Sequence, residues 1–112
     1  MQTTLRREVY QLHAEICHAL SDPNRILILY ELREGRRNVG ELAENLAISQ
    51  PTVSRHLGIL KQGGLVTTRQ DGASVFYRLQ NEETVQLLQQ LTELLKRKLQ
   101  VDQELLKGVE ES

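Results

Sequence analysis

The sequence predicts a mainly α-helical domain with one small β-hairpin, and three observations point to it. Apolar residues recur at intervals of three and four over five separate stretches. Helix-capping residues stand ahead of several of those stretches. Two short runs rich in branched and aromatic residues, LVTTR and SVFYRL, are separated only by QDGA.

In the first stretch, Leu5, Val9, Leu12, Ile16 and Leu20 mark one face of an amphipathic helix. Ser21-Asp22-Pro23 ends it and begins the next, with Asp22 as N-cap and Pro23 at the tolerated first position. The second helix carries Ile26, Leu27, Leu29, Tyr30 and Leu32 and ends near Gly35, and its dense apolar content predicts burial on several sides. Asn38 with Glu41 three residues later forms a capping box that opens a third helix through Leu46.

A tight turn at Ala47-Ile48-Ser49 leads into a fourth helix, ISQPTVSRHLGILKQ, with Ser49 as N-cap and Gly63-Gly64 as its stop. Val53, Leu57 and Leu60 form its apolar back. Gln50, Thr52, Ser54, Arg55 and His56 form a hydrogen-bonding front of a kind that suits a DNA major groove. Two short helices joined by a tight turn make a helix-turn-helix.

Strands over Leu65–Arg69 and Ser74–Leu79, turning at Gln70–Ala73, supply the hairpin that makes this a winged helix-turn-helix. Asn81 is placed to cap a long final helix with Glu82 and Glu83 in its first turn. Val85, Leu88, Leu91, Leu95, Leu99 and Leu106 give that helix an apolar stripe. Residues 1–107 are expected to form one domain, and 108–112 a disordered tail.

Composition sets bounds on function. The chain has 112 residues, 39% hydrophobic and 26% charged, in the range of ordinary globular proteins. No apolar run approaches the roughly 20 residues of a membrane span. The opening MQTTLRREVY lacks the apolar core of a secretory signal, so the expectation is a soluble, cytoplasmic protein. The net charge of −1 argues against indiscriminate nucleic-acid binding, but the charges are unevenly distributed. Between Ser49 and Arg78, Arg55, Lys61, Arg69 and Arg78 face only Asp71, whereas acidic residues outnumber basic ones after Asn81. Arg69 and Arg78, flanking the hairpin turn, can reach a minor groove or its phosphates, and Lys61, Arg36 and Arg37 are further phosphate candidates.

Cys17, the single cysteine, cannot close an intrachain disulfide and reads as a small buried hydrophobe in a reducing compartment. His13, four residues before it, offers a weaker alternative in which imidazole and thiolate share a metal ion, and a redox-active thiol is a third reading. No nucleophile elbow or glycine-rich phosphate loop is present, which argues against an enzyme.

The runs ALSDPNRILILYEL, ELAENLAISQPTVSRHLGILKQGGLV and DGASVFYRL together resemble the ArsR/SmtB family of bacterial winged-helix repressors, over roughly Glu15 to Leu79 and in the same order. The resemblance implies a homodimer paired through its first and last helices, here through Leu5, Val9, Leu12 and Ile16 with Leu88, Leu91, Leu95 and Leu99. It further implies a repressor of a palindromic double-stranded DNA operator, released by an effector that in many members is a metal ion. This chain departs from the metal-sensing pattern in two places. Val39 and Gly40 stand where such members carry a cysteine pair in a motif like ELCVCDL, and the final helix contains no histidine. The expectation is therefore a DNA-binding regulator with no cofactor assigned. A constitutive DNA-binding regulator and a winged-helix protein-interaction module are the alternatives.

Overall fold

The computed structural model describes residues 2–111, with side chains described for residues 2–108. The elements follow the expected order: α1 (Thr3–Ala19), α2 (Pro23–Arg33), α3 (Val39–Leu46), α4 (Gln50–Gln62), β1 (Val66–Asp71), β2 (Ser74–Leu79) and α5 (Glu83–Glu111). They form two compact units, Met1–Glu82 and Glu83–Ser112.

In the first unit the helix starts carry the caps that the sequence signals. Asp22 accepts a hydrogen bond from the Asn24 N–H at 2.8 Å, and Pro23 occupies the first turn of α2, where a missing N–H costs nothing. At the start of α3 the Asn38 carboxamide oxygen accepts from the Glu41 N–H at 2.8 Å, while the Glu41 carboxylate accepts from the Asn38 N–H at 3.1 Å. The turn between α3 and α4 depends on Ala47, whose φ of 55° is left-handed. That conformation lets the Ile48 N–H reach back to the Ala43 carbonyl at 3.1 Å and close the helix end, at a cost of about 1 kcal/mol for a residue with a Cβ.

Ile28, Leu29 and Leu32 of α2 are buried, as are Leu42 and Ala43 of α3, Val53, Leu57 and Leu60 of α4, and Val66 of β1. The dense apolar content of α2 thus marks the central helix of the unit. By contrast, Ala19 is the single buried residue of α1. There the chain packs closely: a Cβ added at Gly63, the end of α4, would lie 3.2 Å from the Ala19 Cβ.

The hairpin is longer and tighter than the sequence indicated. Pairing runs from Val66↔Leu79 to Asp71↔Ser74, so only Gly72 and Ala73 form the loop. Gly72 has φ 63°, as a two-residue turn with glycine at its first position requires. A third segment joins the sheet. Arg37 pairs with Tyr77 through backbone N–H to carbonyl bonds in both directions, at 3.0 and 2.8 Å, tying the α2–α3 connection to the wing.

In the second unit α5 starts at Glu83, so Glu82 rather than Asn81 immediately precedes it. Val85 and Leu88 are buried, while Leu91, Leu95 and Leu99 are exposed. Leu88 is only 5% exposed, unlike the other α5 residues expected at the dimer seam. Helical backbone continues through Gly108 to Glu111. One helical glycine costs only about 1 kcal/mol, too little by itself to end a helix. Ser112 lies outside the described residues.

Removing the α3 capping box tests this account of the helix-turn-helix. Asn38→Ala is expected to cost about 1 kcal/mol and to lower the melting temperature by roughly 4–8 °C. Thermal unfolding followed by circular dichroism measures it, and an unchanged midpoint would show that α3 does not need the cap.

Candidate nucleic-acid interface

α4 has a back that is locked and a front that is open. Ser49 caps it, with its hydroxyl oxygen accepting from the Thr52 N–H at 3.4 Å while donating to the Thr52 side-chain oxygen at 2.8 Å. Both hydroxyls are therefore partly committed to the cap. Gln50, Ser54 and Arg55 are exposed, and none has a side-chain hydrogen bond or ion pair among the described residues. Gly58 lies on the same outward side, and a Cβ there would meet nothing within 4 Å, so another backbone can approach closely.

His56 does not belong to this front. Its side chain is 1% exposed, and its Nδ1 lies 3.1 Å from an Nη of Arg25, itself only 4% exposed. The reason is angular: three residues after Val53 and four before Leu60, position 56 flanks the apolar stripe that packs inward. Helical periodicity carries that signal, but the polarity of imidazole masks it.

Arg25, which polarity and charge alone did not single out, holds the junction together. Its Nε donates to the Ala19 carbonyl at 2.8 Å, and its Nη2 donates to both the His18 carbonyl at 2.7 Å and the Ser21 hydroxyl at 3.2 Å. The remaining contact is His56 Nδ1. Carbonyls at the C-terminus of α1 carry the negative end of the helix dipole, so they stabilise a buried guanidinium without a carboxylate in contact. Because an arginine can only donate, His56 Nδ1 must accept, and the neutral ring carries its proton on Nε2. Burial holds the His56 pKa below its ordinary 6.5, and the charges of Arg25 and Arg55 push the same way, against the opposing pull of Asp22. The Asp22 carboxyl is itself held low, first by accepting the Asn24 N–H.

On the wing, Arg69 stands opposite Phe76 and is exposed, two pairs from the turn. Arg78 pairs with Thr67, four pairs from the turn, so it lies at the base of the wing and does not flank the turn as Arg69 does. Lys61 donates to the Thr68 hydroxyl at 3.4 Å, linking α4 to β1. Arg36 forms an ion pair with Asp71 at 2.9 Å and stacks 4.0 Å above the Phe76 ring, so it serves the wing first.

Cys17 is exposed on α1 and is not the buried small hydrophobe expected. Among the described residues no group of three or more histidines, cysteines and carboxylates surrounds it and His13.

The buried histidine makes a testable link to stability. An unfolded His56 takes up a proton near pH 6.5, whereas the folded ring resists it until lower pH. The unfolded state then binds more protons, so stability is fully present above 6.5 and declines as pH falls from there toward the depressed folded value. In His56→Gln, which retains an acceptor for Arg25, this decline is expected to disappear. Urea unfolding at pH 7.5, 6.5 and 5.5 measures it, and parallel pH dependence in both proteins would rule out the account.

Comparison with known proteins agrees with this architecture. Residues 22–68 match the model of bacterial regulatory proteins of the arsR family. The chain is 42% identical over 77 residues to the HTH-type transcriptional regulator KmtR of Mycobacterium tuberculosis, covering 69% of this chain and 59% of that protein. It is 40% identical over 78 residues to the biofilm growth-associated repressor of Xylella fastidiosa, covering 70% and 68% respectively. Thus the chain aligns with about three-fifths to two-thirds of the length of these relatives. Among solved structures, the homodimeric winged helix-turn-helix DNA-binding domain Mb0332 of Mycobacterium bovis superposes with a TM-score of 0.76 at 28% identity, covering 86% of this chain and 89% of that one. With the helix-turn-helix, the wing and the matched segment coinciding, the chain belongs to the arsR family of bacterial regulatory proteins.

Proposed function

We propose that the protein is a homodimeric repressor that occupies a palindromic operator and leaves it when an effector binds. The observation that carries this reading is the front of α4, where Gln50, Ser54 and Arg55 stand exposed and unengaged on a helix whose back is locked. Gln50 suits bidentate pairing with adenine, Arg55 with guanine or a phosphate, and Ser54 with either base edges or backbone. Ser49 and Thr52, engaged at the cap, are placed for backbone phosphate at the helix N-terminus. Arg69 serves the wing's minor-groove or phosphate contact, while Lys61 contributes charge further from the turn.

Two such helices enter successive major grooves about 34 Å apart. Dimerisation is assigned to the exposed apolar residues of the terminal helices: Leu5, Leu12 and Ile16 of α1, with Val9 half-buried beside them, and Leu91, Leu95 and Leu99 of α5. An isolated soluble chain rarely leaves so many leucines in water. A cytoplasmic location accords with this role, and no helix among the described residues is long and apolar enough to cross a membrane.

Operator binding by fluorescence anisotropy tests the interface. Arg55→Ala and Gln50→Ala are each expected to weaken binding by roughly 5- to 150-fold, the range of one lost bidentate base contact, and to relax sequence preference. Unchanged affinity and preference in both variants would remove α4 as the reading helix. In wild type, affinity should fall steeply with salt, which a protein-interaction module would not show on DNA. For the dimer, Leu95→Glu is expected to shift the chain to monomer in light scattering at micromolar concentration, because it buries a charge at an apolar seam.

A further inference from the structure

We propose that the cleft between the end of α2 and the base of the wing binds a small organic oxyanion, a phosphate monoester or carboxylate carrying a short apolar group. The cleft is open on one side and has a volume of about 460 Å³, within the roughly 300–1,000 Å³ typical of small-molecule sites. Leu32, which is buried, and Leu79, half-buried, supply an apolar floor. Three guanidinium groups, from Arg33, Arg36 and Arg78, line it against the single carboxylate of Glu82.

These arginines are not alike. Arg36 is held in place by its ion pair with Asp71 and its stack on Phe76. Arg33 and Arg78 have no side-chain hydrogen bond or ion pair among the described residues, although both face the same concavity. Like charges gathered without internal partners repel one another, and an anion relieves that repulsion. A planar fork matches two oxygens of a carboxylate or phosphate, and arginine is better suited to this than lysine.

The geometry favours a small ligand over a DNA phosphate. Arg78 lies four pairs from the hairpin turn, about 13 Å along the strand, and the site is concave with an apolar base. Its walls are the α2–α3 connection and the wing, joined by the Arg37–Tyr77 backbone pair. A ligand spanning both walls biases the wing's position only if it binds one arrangement better than another. That consequence rests on the operator reading proposed above, whereas binding itself does not.

An NMR titration of the ¹⁵N-labelled full chain without DNA tests the site, with phenyl phosphate and inorganic phosphate as probes at constant ionic strength. Saturable shifts are expected at the amides of Leu32–Arg36 and Arg78–Gln80, with phenyl phosphate binding several-fold more tightly than inorganic phosphate. Arg33→Gln should weaken binding about tenfold, the order of one lost charge-assisted hydrogen bond, and its spectrum away from the cleft reports whether the fold is intact. Shifts that do not saturate by about 10 mM, or that appear equally around Arg7 and Arg97, overturn the proposal. So does equal binding by Arg33→Gln. Operator binding measured on the same samples separates the two readings: loss of either activity without the other overturns only that one.

Discussion

A guanidinium buried away from water must find acceptors for its N–H groups, and the first unit is organised around how Arg25 meets that demand. The residue belongs to α2, but its partners come from elsewhere: carbonyls ending α1, the Ser21 hydroxyl in the turn, and a ring nitrogen of α4. Each partner is a group that would itself be expensive to bury alone. The hydrogen bonds thus fix the end of α1 and the inner face of α4 to one side chain of the central helix. Apolar packing of Leu29, Leu57 and Leu60 supplies much of the driving force for folding but little direction. Direction comes from the arginine.

This arrangement explains how α4 can be both anchored and open. His56 is held by a partner that can only donate, so the imidazole is neutral and has one usable tautomer. Val53, Leu57 and Leu60 fill the remaining inward positions. Gln50, Ser54, Arg55 and Gly58 face water, and Arg55, one residue from the buried histidine, points away from the core into solvent. A reading helix needs a fixed frame, because a base contact displaced by an ångström loses its geometry. The wing is tied down separately, through the Arg37 backbone pair and the Arg36 stack and ion pair.

Much of this was legible in the sequence, where local rules acted alone. Asp22, Asn38 with Glu41, and Ser49 cap the helices they precede because capping depends on residues at most three apart. The spacing of Val53, Leu57 and Leu60 likewise identified the buried side of α4. What escaped was decided by partners distant in sequence. His56 appears polar until Arg25, 31 positions earlier, is seen to satisfy it. Arg37 carries no strand signal, yet Tyr77 draws it into the sheet. Local signals alone end the first strand at Arg69, whereas pairing, which depends on the opposite strand, carries Gln70 and Asp71 into the ladder. Leu88 and Leu91 share one sequence stripe, and only the fold tells buried from exposed.

The single anchored turn of α1 has a kinetic consequence. With Ala19 as its one buried residue, residues 3–15 gain little from the core beyond their own helical hydrogen bonds. A lone helix of that length is marginal in water, so these amides should open far more often than those of α2 or α4. Whatever surface covers Leu5, Leu12 and Ile16 therefore also governs how long the first helix stays wound. Hydrogen exchange in this segment would slow as protein concentration rises, while exchange in the buried helices would change less. The N-terminal helix would then behave as a reporter of assembly as well as a part of it.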